Sequence, residues 1–409
     1  MRRRVAITGL GLVSPLGDEL DGFMTRLYRG DSSIVRVPAW ENDSGLATRV
    51  ASMVEHFDGK NIPRTQRRSM SRVAMLAVTA TGKAIRDADL PEQTVKDERT
   101  GIAYGSTMGG TSAIEHYYRN VLTTKSYCEG TTSTTLLQIM SHTCAANLAI
   151  AFSVQGRVIA SCVACAASTQ AIGFGYEAIH HGLMDRMICG GAEELHVAVA
   201  GVFDVLRATS VKHNDSPQLT PRPFSKDRDG IVVGEGAGTV ILEDMDQALA
   251  RGARIYGEVR GFFTNTDSNH MTNPSVDGME KVMLGALKDA GLTPKDVDYV
   301  NAHGTATAIG DVAESRAIER VVGRDVPVSS LKGHFGHLMG ACGVVESIAC
   351  LGMMRDGQLV PTLHLDEVDD NCAPLAYLKG IPRPSRAQTI LKNSFAFGGI
   401  NASLVITKV

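Results

Sequence analysis

The chain has 409 residues, with 42 glycines, 11 Phe, 9 Tyr and a single Trp; apolar residues make up 44% and charged residues 21%. That excludes a disordered or collagen-like chain and fits two core-sized units, or one duplicated unit, with a small-residue interior. Forty-one Lys plus Arg against 44 Asp plus Glu leave a net charge of −3, so no overall basic field favours nucleic acid as a partner.

Met1-Arg-Arg-Arg followed by VAITGLGLV has the outline of a signal peptide, but Gly9, Gly11 and Pro15 break the apolar run and no small-residue cleavage pattern follows. Val5–Thr8 therefore reads as a buried strand entering a glycine turn. Gly9-x-Gly11 also begins a dinucleotide fingerprint, yet Ser14 holds the third glycine position and Pro15 follows, so no phosphate-binding helix is expected. Further strand-like runs are 101–104, 157–160, 186–188, 239–242, 299–301, 326–329 and 403–407; helix-period segments are 71–88, 168–181, 276–290, 311–321 and 341–355. The alternation predicts α/β layers with a mainly parallel sheet. No apolar stretch approaches the roughly 20 residues of a membrane span.

A seam is expected near Arg251-Gly-Ala-Arg254, dividing residues 1–250 from 251–409. Each side holds a strand, a small-residue turn and a helix with reactive side chains at the turn: VIASCVACAAS on the first, PVSSLKGHFGHLMGACG on the second. That is the layout of a duplication. Eight cysteines at this length are too dilute for a disulfide scaffold and read as reduced thiols of a cytoplasmic protein.

Cys165 follows an apolar strand and directly precedes a small-residue helix, where unpaired backbone N–H groups and the positive end of the dipole favour a thiolate nucleophile. The segment taken alone also fits a buried structural thiol. Cys162 forms a Cys-x-x-Cys with it, without other redox context. His303 stands on a hydroxyl-rich turn after a short strand, with Glu314 on the next helix; Lys332, His334 and His337 cluster before another helix. Such strand-to-loop junctions face a shared cleft. A zinc set of Cys162, Cys165, His334 and His337 lacks the local spacing of zinc modules, and no metal is expected. Lys60, Arg64, Arg67, Arg68 and Arg72 form a basic run that fits either a solvated face or a dock for an acidic partner.

VAITGLGLVSPLG, VACAAS, GGAEE, PFSKDRDGIVVGEGAG, NAHGTATAIGD, SSLKGHFGHLMGACG and NSFAFGGINASL together, in this order and nearly end to end, resemble the β-ketoacyl-[acyl-carrier-protein] synthases. The resemblance implies an α/β, duplicated thiolase-like fold, layered α-β-α-β-α with two mixed sheets, working as a homodimer or as a heterodimer with a related ketosynthase or chain-length-factor subunit. It implies decarboxylative Claisen condensation of an acyl thioester with malonyl carrier protein, with acyl carrier protein as partner and no cofactor. Carried over, Cys165 is the acylated nucleophile; His303 and His337 assist decarboxylation; Lys332 and Glu314 form a supporting ion pair that orders the second histidine. Thr305 and Thr307 hold the pantetheine arm, Met108 limits the acyl pocket, and the Phe397 backbone N–H joins that of Cys165 in an oxyanion hole at a gate. The basic run 60–72 is the carrier-protein dock. Phe335, Ile400, Ala396 and Ala308 depart from the family's usual Thr, Thr, Gly and Pro. Apolar bulk in place of two hydroxyls implies a reshaped, drier channel and a specialised synthase of polyene or polyketide-like chains, the alternatives being housekeeping elongation or a heterodimer subunit. A degradative thiolase is opposed by the lack of a catalytic cysteine in the final glycine-rich motif.

Overall fold

The computed structural model describes residues 2–409. Ten strands and five helices position the site: β1 (Val5–Val13), α1 (Arg72–Asp87), β2 (Thr100–Gly105), β3 (Val158–Ser161), α2 (Ala167–His180), β4 (Arg186–Glu193), β5 (Gly236–Asp244), β6 (Gly257–Thr266), α3 (Val276–Ala290), β7 (Tyr299–Asn301), α4 (Gly310–Val322), β8 (Pro327–Ser329), α5 (Cys342–Asp356), β9 (Thr389–Ala396) and β10 (Ile400–Thr407).

The duplication is explicit in the strand order. One half runs β1-β5-β4-β2-β3 and the other β6-β10-β9-β7-β8. In each, the first two pairings are antiparallel and the last two parallel. The two mixed sheets are joined edge to edge where Val5–Ile7 of β1 pair antiparallel with Gly257–Val259 of β6, making one continuous ladder. The layered α/β arrangement of two mixed sheets is as expected, with the shared edge as an added feature.

Three apolar clusters give the layers. α1 covers the outer face of the first sheet and α3 with α4 that of the second. Between the sheets, α2 and α5 build the largest core with Phe262, Leu331 and Leu404. α5 is apolar or small almost all round, as a helix enclosed on every side must be. The two inner helices meet at their N-termini: a β-carbon at Gly343 would overlap Thr169, and the Val344 N–H donates to Ser168 Oγ at 3.1 Å. This contact brings the two reactive turns together.

Two expectations change here. β1 runs straight through Gly9 and Gly11 rather than turning, because α1 crosses so closely that a β-carbon at either glycine would overlap a backbone carbonyl oxygen of Ala84 or Ala80. The glycines serve close packing, not a turn. β9, which the apolar pattern does not mark, is a fully buried strand.

Candidate active site

β3 ends at Ser161 and the chain enters α2 through a 3₁₀ turn, Ala164–Ala166. Ala164 has φ 48°, a left-handed conformation without glycine, which costs about 1–3 kcal/mol and persists only where the surroundings enforce it. It places Cys165 on the apex of the turn, 6% exposed. The backbone N–H groups of Cys165 and Phe397 favour its ionised form. Burial nevertheless pushes the thiol up to about 11, against the pull of Lys332 and those two N–H groups. The resting species is the thiol, which corrects the thiolate expected from a helix N-terminus: desolvation outweighs the exposed N–H groups.

His303 sits on the turn after β7, where Gly304 has φ 35° and Ala306 φ 65°. Two buried carboxylates fold this turn. Glu314 accepts the N–H of His303 at 2.6 Å and of Gly304 at 2.7 Å. Asp311 accepts the N–H of Thr305 at 3.0 Å, of Ala306 at 3.1 Å and of Phe224 at 2.7 Å. His337 follows a second tight turn at Gly336, and its Nδ1 accepts the Met339 N–H at 3.0 Å, with Cys342 Sγ at 3.1 Å. His303 Nδ1 faces the Lys332 ammonium at 3.3 Å. In both rings Nδ1 is therefore the acceptor, and the neutral imidazole carries its proton on Nε2. Burial, then Lys332, hold both histidines well below the ordinary imidazole value, so they are neutral donors at pH 7. The rings stand 5.3 Å apart at 87°, and Cys165, His303 and His337 each offer an S or N atom within 4.8 Å of the others.

The expected Lys332–Glu314 ion pair is not formed. Lys332 Nζ donates to Glu346 Oε1 at 2.5 Å and to the His303 carbonyl at 2.6 Å, while Glu314 holds backbone N–H groups. Lys332 thus orders the first histidine, not the second. Phe335 is wholly buried against Phe23, with ring centroids 6.1 Å apart, and Ile400 packs at the margin of the central core; neither lines the cavity. Met108 is exposed and lies outside the cavity wall. Arg72 is no free docking cation, since its guanidinium grips the buried Glu235 at 2.7 Å and 2.8 Å; Lys60 pairs with Asp58 at 2.6 Å. Arg64 and Arg68 are exposed and Arg67 half-buried. The zinc set is dispersed: Cys162 is exposed and donates to the Ser141 carbonyl, and His334 bridges the carbonyls of Asp31 and Pro361.

A cavity of about 400 Å³ opens over this centre, with Cys165, His303 and His337 in its wall beside Thr305, Thr307, Ala308 and Ala396. The Thr305 and Thr307 hydroxyls are 3.0 Å apart. The Phe397 ring leans on Phe203 at 5.4 Å in the same wall. Sequence reasoning missed Phe203, Arg228, Glu346 and Lys392. For the last two a signal existed: each is a lone charge inside an apolar run, where an ion must be paired.

The β-ketoacyl synthase N-terminal domain model matches residues 2–248 and the C-terminal domain model residues 256–366. The chain belongs to the β-ketoacyl synthase family. It is 37% identical to "3-oxoacyl-[acyl-carrier-protein] synthase 2" of Synechocystis sp., covering all of this chain and 98% of that one. A β-ketoacyl synthase from Burkholderia phymatum superposes with TM-score 0.96 at 44% identity, and the ishigamide ketosynthase/chain length factor with 0.93 at 30%, each over the full length of both chains. The chain is accordingly an acyltransferase of the 3-oxoacyl-[acyl-carrier-protein] synthase class, with a thiolase-like fold. Among the described residues no helix is long and apolar enough to cross a membrane.

Proposed function

We propose that Cys165 is the acylated nucleophile and that His303 and His337 are the paired donors of the malonyl half-reaction. The observation that carries this reading is the convergence of one thiol and two neutral Nε2–H imidazoles on one cavity. In the first half-reaction the Cys165 sulfur attacks the acyl thioester, the carbonyl oxygen takes up charge facing the N–H groups of Cys165 and Phe397, and the thiol proton leaves with the carrier thiol. In the second, malonyl thioester loses CO2 and the electron pair of the breaking bond passes to the thioester oxygen, where both Nε2–H groups donate to the enolate. The enolate carbon then attacks the Cys165 thioester, and collapse of the adduct expels the Cys165 thiolate, which takes a proton from solvent. A neutral donor suits this step: a cation would hold the malonyl carboxylate and oppose its departure. Thr305 and Thr307 are the hydroxyls for the pantetheine arm, and Phe397 is the gate.

Carrier protein, acyl- and malonyl-loaded, is the donor on this reading, supported by the substrate in the name of the Synechocystis relative; Arg64, Arg67 and Arg68 remain as its dock. The halves divide at 250/251. A dimer through β3 is supported by its position at the sheet edge and by the exposed Val158 and Ile150 beside it, and the ishigamide relative keeps a heterodimer with a chain-length-factor subunit as the second form. A cytoplasmic location is supported by eight free cysteines, Cys128 and Cys162 exposed among them.

The finer reading is a synthase of specialised polyene or polyketide-like chains. Of the four departures behind it, Ala396 and Ala308 line the cavity and Phe335 and Ile400 do not, so it rests on the two alanines. Condensation rates with carrier proteins bearing saturated and conjugated chains test it. A preference for conjugated chains is expected; an equal or greater rate with saturated ones assigns the chain to housekeeping elongation.

A further inference from the structure

Behind the two histidines lies a charge cluster sealed from solvent. Lys332, Glu346 and Lys392 are fully buried. Glu346 Oε1 meets Lys332 at 2.5 Å, and Oε2 meets Lys392 at 3.0 Å as an ion pair without a directed hydrogen bond. One carboxylate thus serves two ammonium groups, leaving one uncompensated positive charge in a dry interior. Such charges are costly to bury, and apolar replacements of buried ion clusters are often neutral or stabilising, so fold stability gives no account of the second lysine.

The three N–H groups of Lys392 are directed elsewhere. They reach Ser394 Oγ at 2.5 Å, the Asn393 carbonyl at 3.0 Å and Thr169 Oγ1 at 3.1 Å. Thr169 lies in the first turn of α2, just after Cys165, and Ser394 lies on β9, just before Phe397; their hydroxyls are 2.8 Å apart. A single ammonium therefore touches the helix that presents the nucleophile, the strand that leads to the gate, and the carboxylate that holds Lys332 against His303.

We propose that Lys392 is a positioning residue for condensation, locking these three parts of the site to one another and contributing the uncompensated charge behind the histidine pair. The charge acts on the rings as well as the geometry. The groups facing them are Lys332, Glu314 through its hold on the His303 backbone, Cys165 and Cys342, with Glu346 behind Lys332. Lys332 and Lys392 both disfavour ring protonation. A proton on Nδ1 would break the Met339 contact in His337 and oppose the Lys332 ammonium in His303, so a neutral pair is also the correctly oriented pair.

The proposal rests on the donor role of the histidines, and its test separates the two. In Lys392→Met, CO2 release from malonyl carrier protein falls by about tenfold or more, while acylation of Cys165 falls by about threefold or less. The acid limb of the decarboxylation profile moves up by about one pH unit, since a cation that suppressed ring protonation is gone. Lys392→Arg, which keeps the charge, returns the limb toward its original position. Equal losses in both half-reactions with an unmoved limb would make Lys392 a packing residue and overturn the proposal. Should Lys392→Met not accumulate folded, Thr169→Val removes one anchor at constant shape and charge: the same split between half-reactions supports the proposal, and equal losses overturn it. Undiminished CO2 release by His337→Ala would instead overturn the reading of the histidines.

Discussion

Glu314 and His303 offer a quantitative perturbation. The Glu314 carboxylate accepts two backbone N–H groups, at 2.6 Å and 2.7 Å, in a fully enclosed site. Glu314→Gln keeps the shape but offers one oxygen, so one N–H must face the new NH2 group. A buried donor left unsatisfied costs about 1–3 kcal/mol, and the two opposed donors place this case toward the upper end. With an unfolding entropy of about 2.1 cal/mol/K per residue, a loss of about 3 kcal/mol lowers Tm by about 3–4 °C for a chain of this length. The larger effect is on chemistry, because the turn that shifts carries His303. Calorimetry and separate assays of the half-reactions should show the modest Tm loss, Cys165 acylation within about threefold of wild type, and condensation reduced by about tenfold or more. Equal loss in both half-reactions, or unchanged condensation at the lowered Tm, would refute the assignment of Glu314 to the His303 turn.

Charge reversal at Arg67 and Arg68 should raise KM for acyl carrier protein and weaken its dependence on salt; Arg72→Ala should instead lower Tm, because it strands the buried Glu235, and steady-state kinetics at two ionic strengths with a thermal scan checks both. Burial holds the Glu193 and Glu314 carboxyls up to about 7, against 4.5 as the ordinary value. These two carboxyls therefore hold more protons in the folded chain than in the unfolded one between about pH 4.5 and 7, and the stability they contribute is lost as pH rises through about 7. The buried neutral histidines act with the opposite sign over the same range, so the carboxyl contribution is read as a difference: the change in Tm from pH 6 to pH 8 should be more positive in Glu193→Gln than in wild type, and an equal or more negative change contradicts the sign.

The reactive centre was legible because its chemistry is local. Cys165, His303 and His337 each occupy a small-residue turn between a strand and a helix, and such turns converge wherever parallel strands end together. The pairing of their supports was not legible, although Glu346 and Lys392 stand out as lone charges in apolar runs. The partner of Lys332 depends on how α5 lies against β8 and β9, which no spacing between Lys332, Glu314 and Glu346 reveals. Phe335 and Ile400 lie within the motifs in sequence, yet the turn at Gly336 and the β9–β10 hairpin carry them into the core and away from the cavity. Gly9 and Gly11 read as a turn because the demand on them comes from α1, which lies far along the chain. β9 was hidden because Lys392 interrupts its apolar pattern with a charge that only Glu346, Thr169 and Ser394 make tolerable. Local rules found the residues that react, and tertiary packing chose the ones that hold them.

The division of labour between Cys165 and the histidines is tested most directly by intact-mass measurement of the enzyme after mixing with acyl and then malonyl carrier protein, with CO2 release followed in parallel. The account predicts a single acyl adduct on Cys165 that wild type discharges as CO2 appears, that persists in His337→Ala with little CO2, and that is absent in Cys165→Ala. An adduct on any other residue, or its normal discharge by His337→Ala, would contradict it.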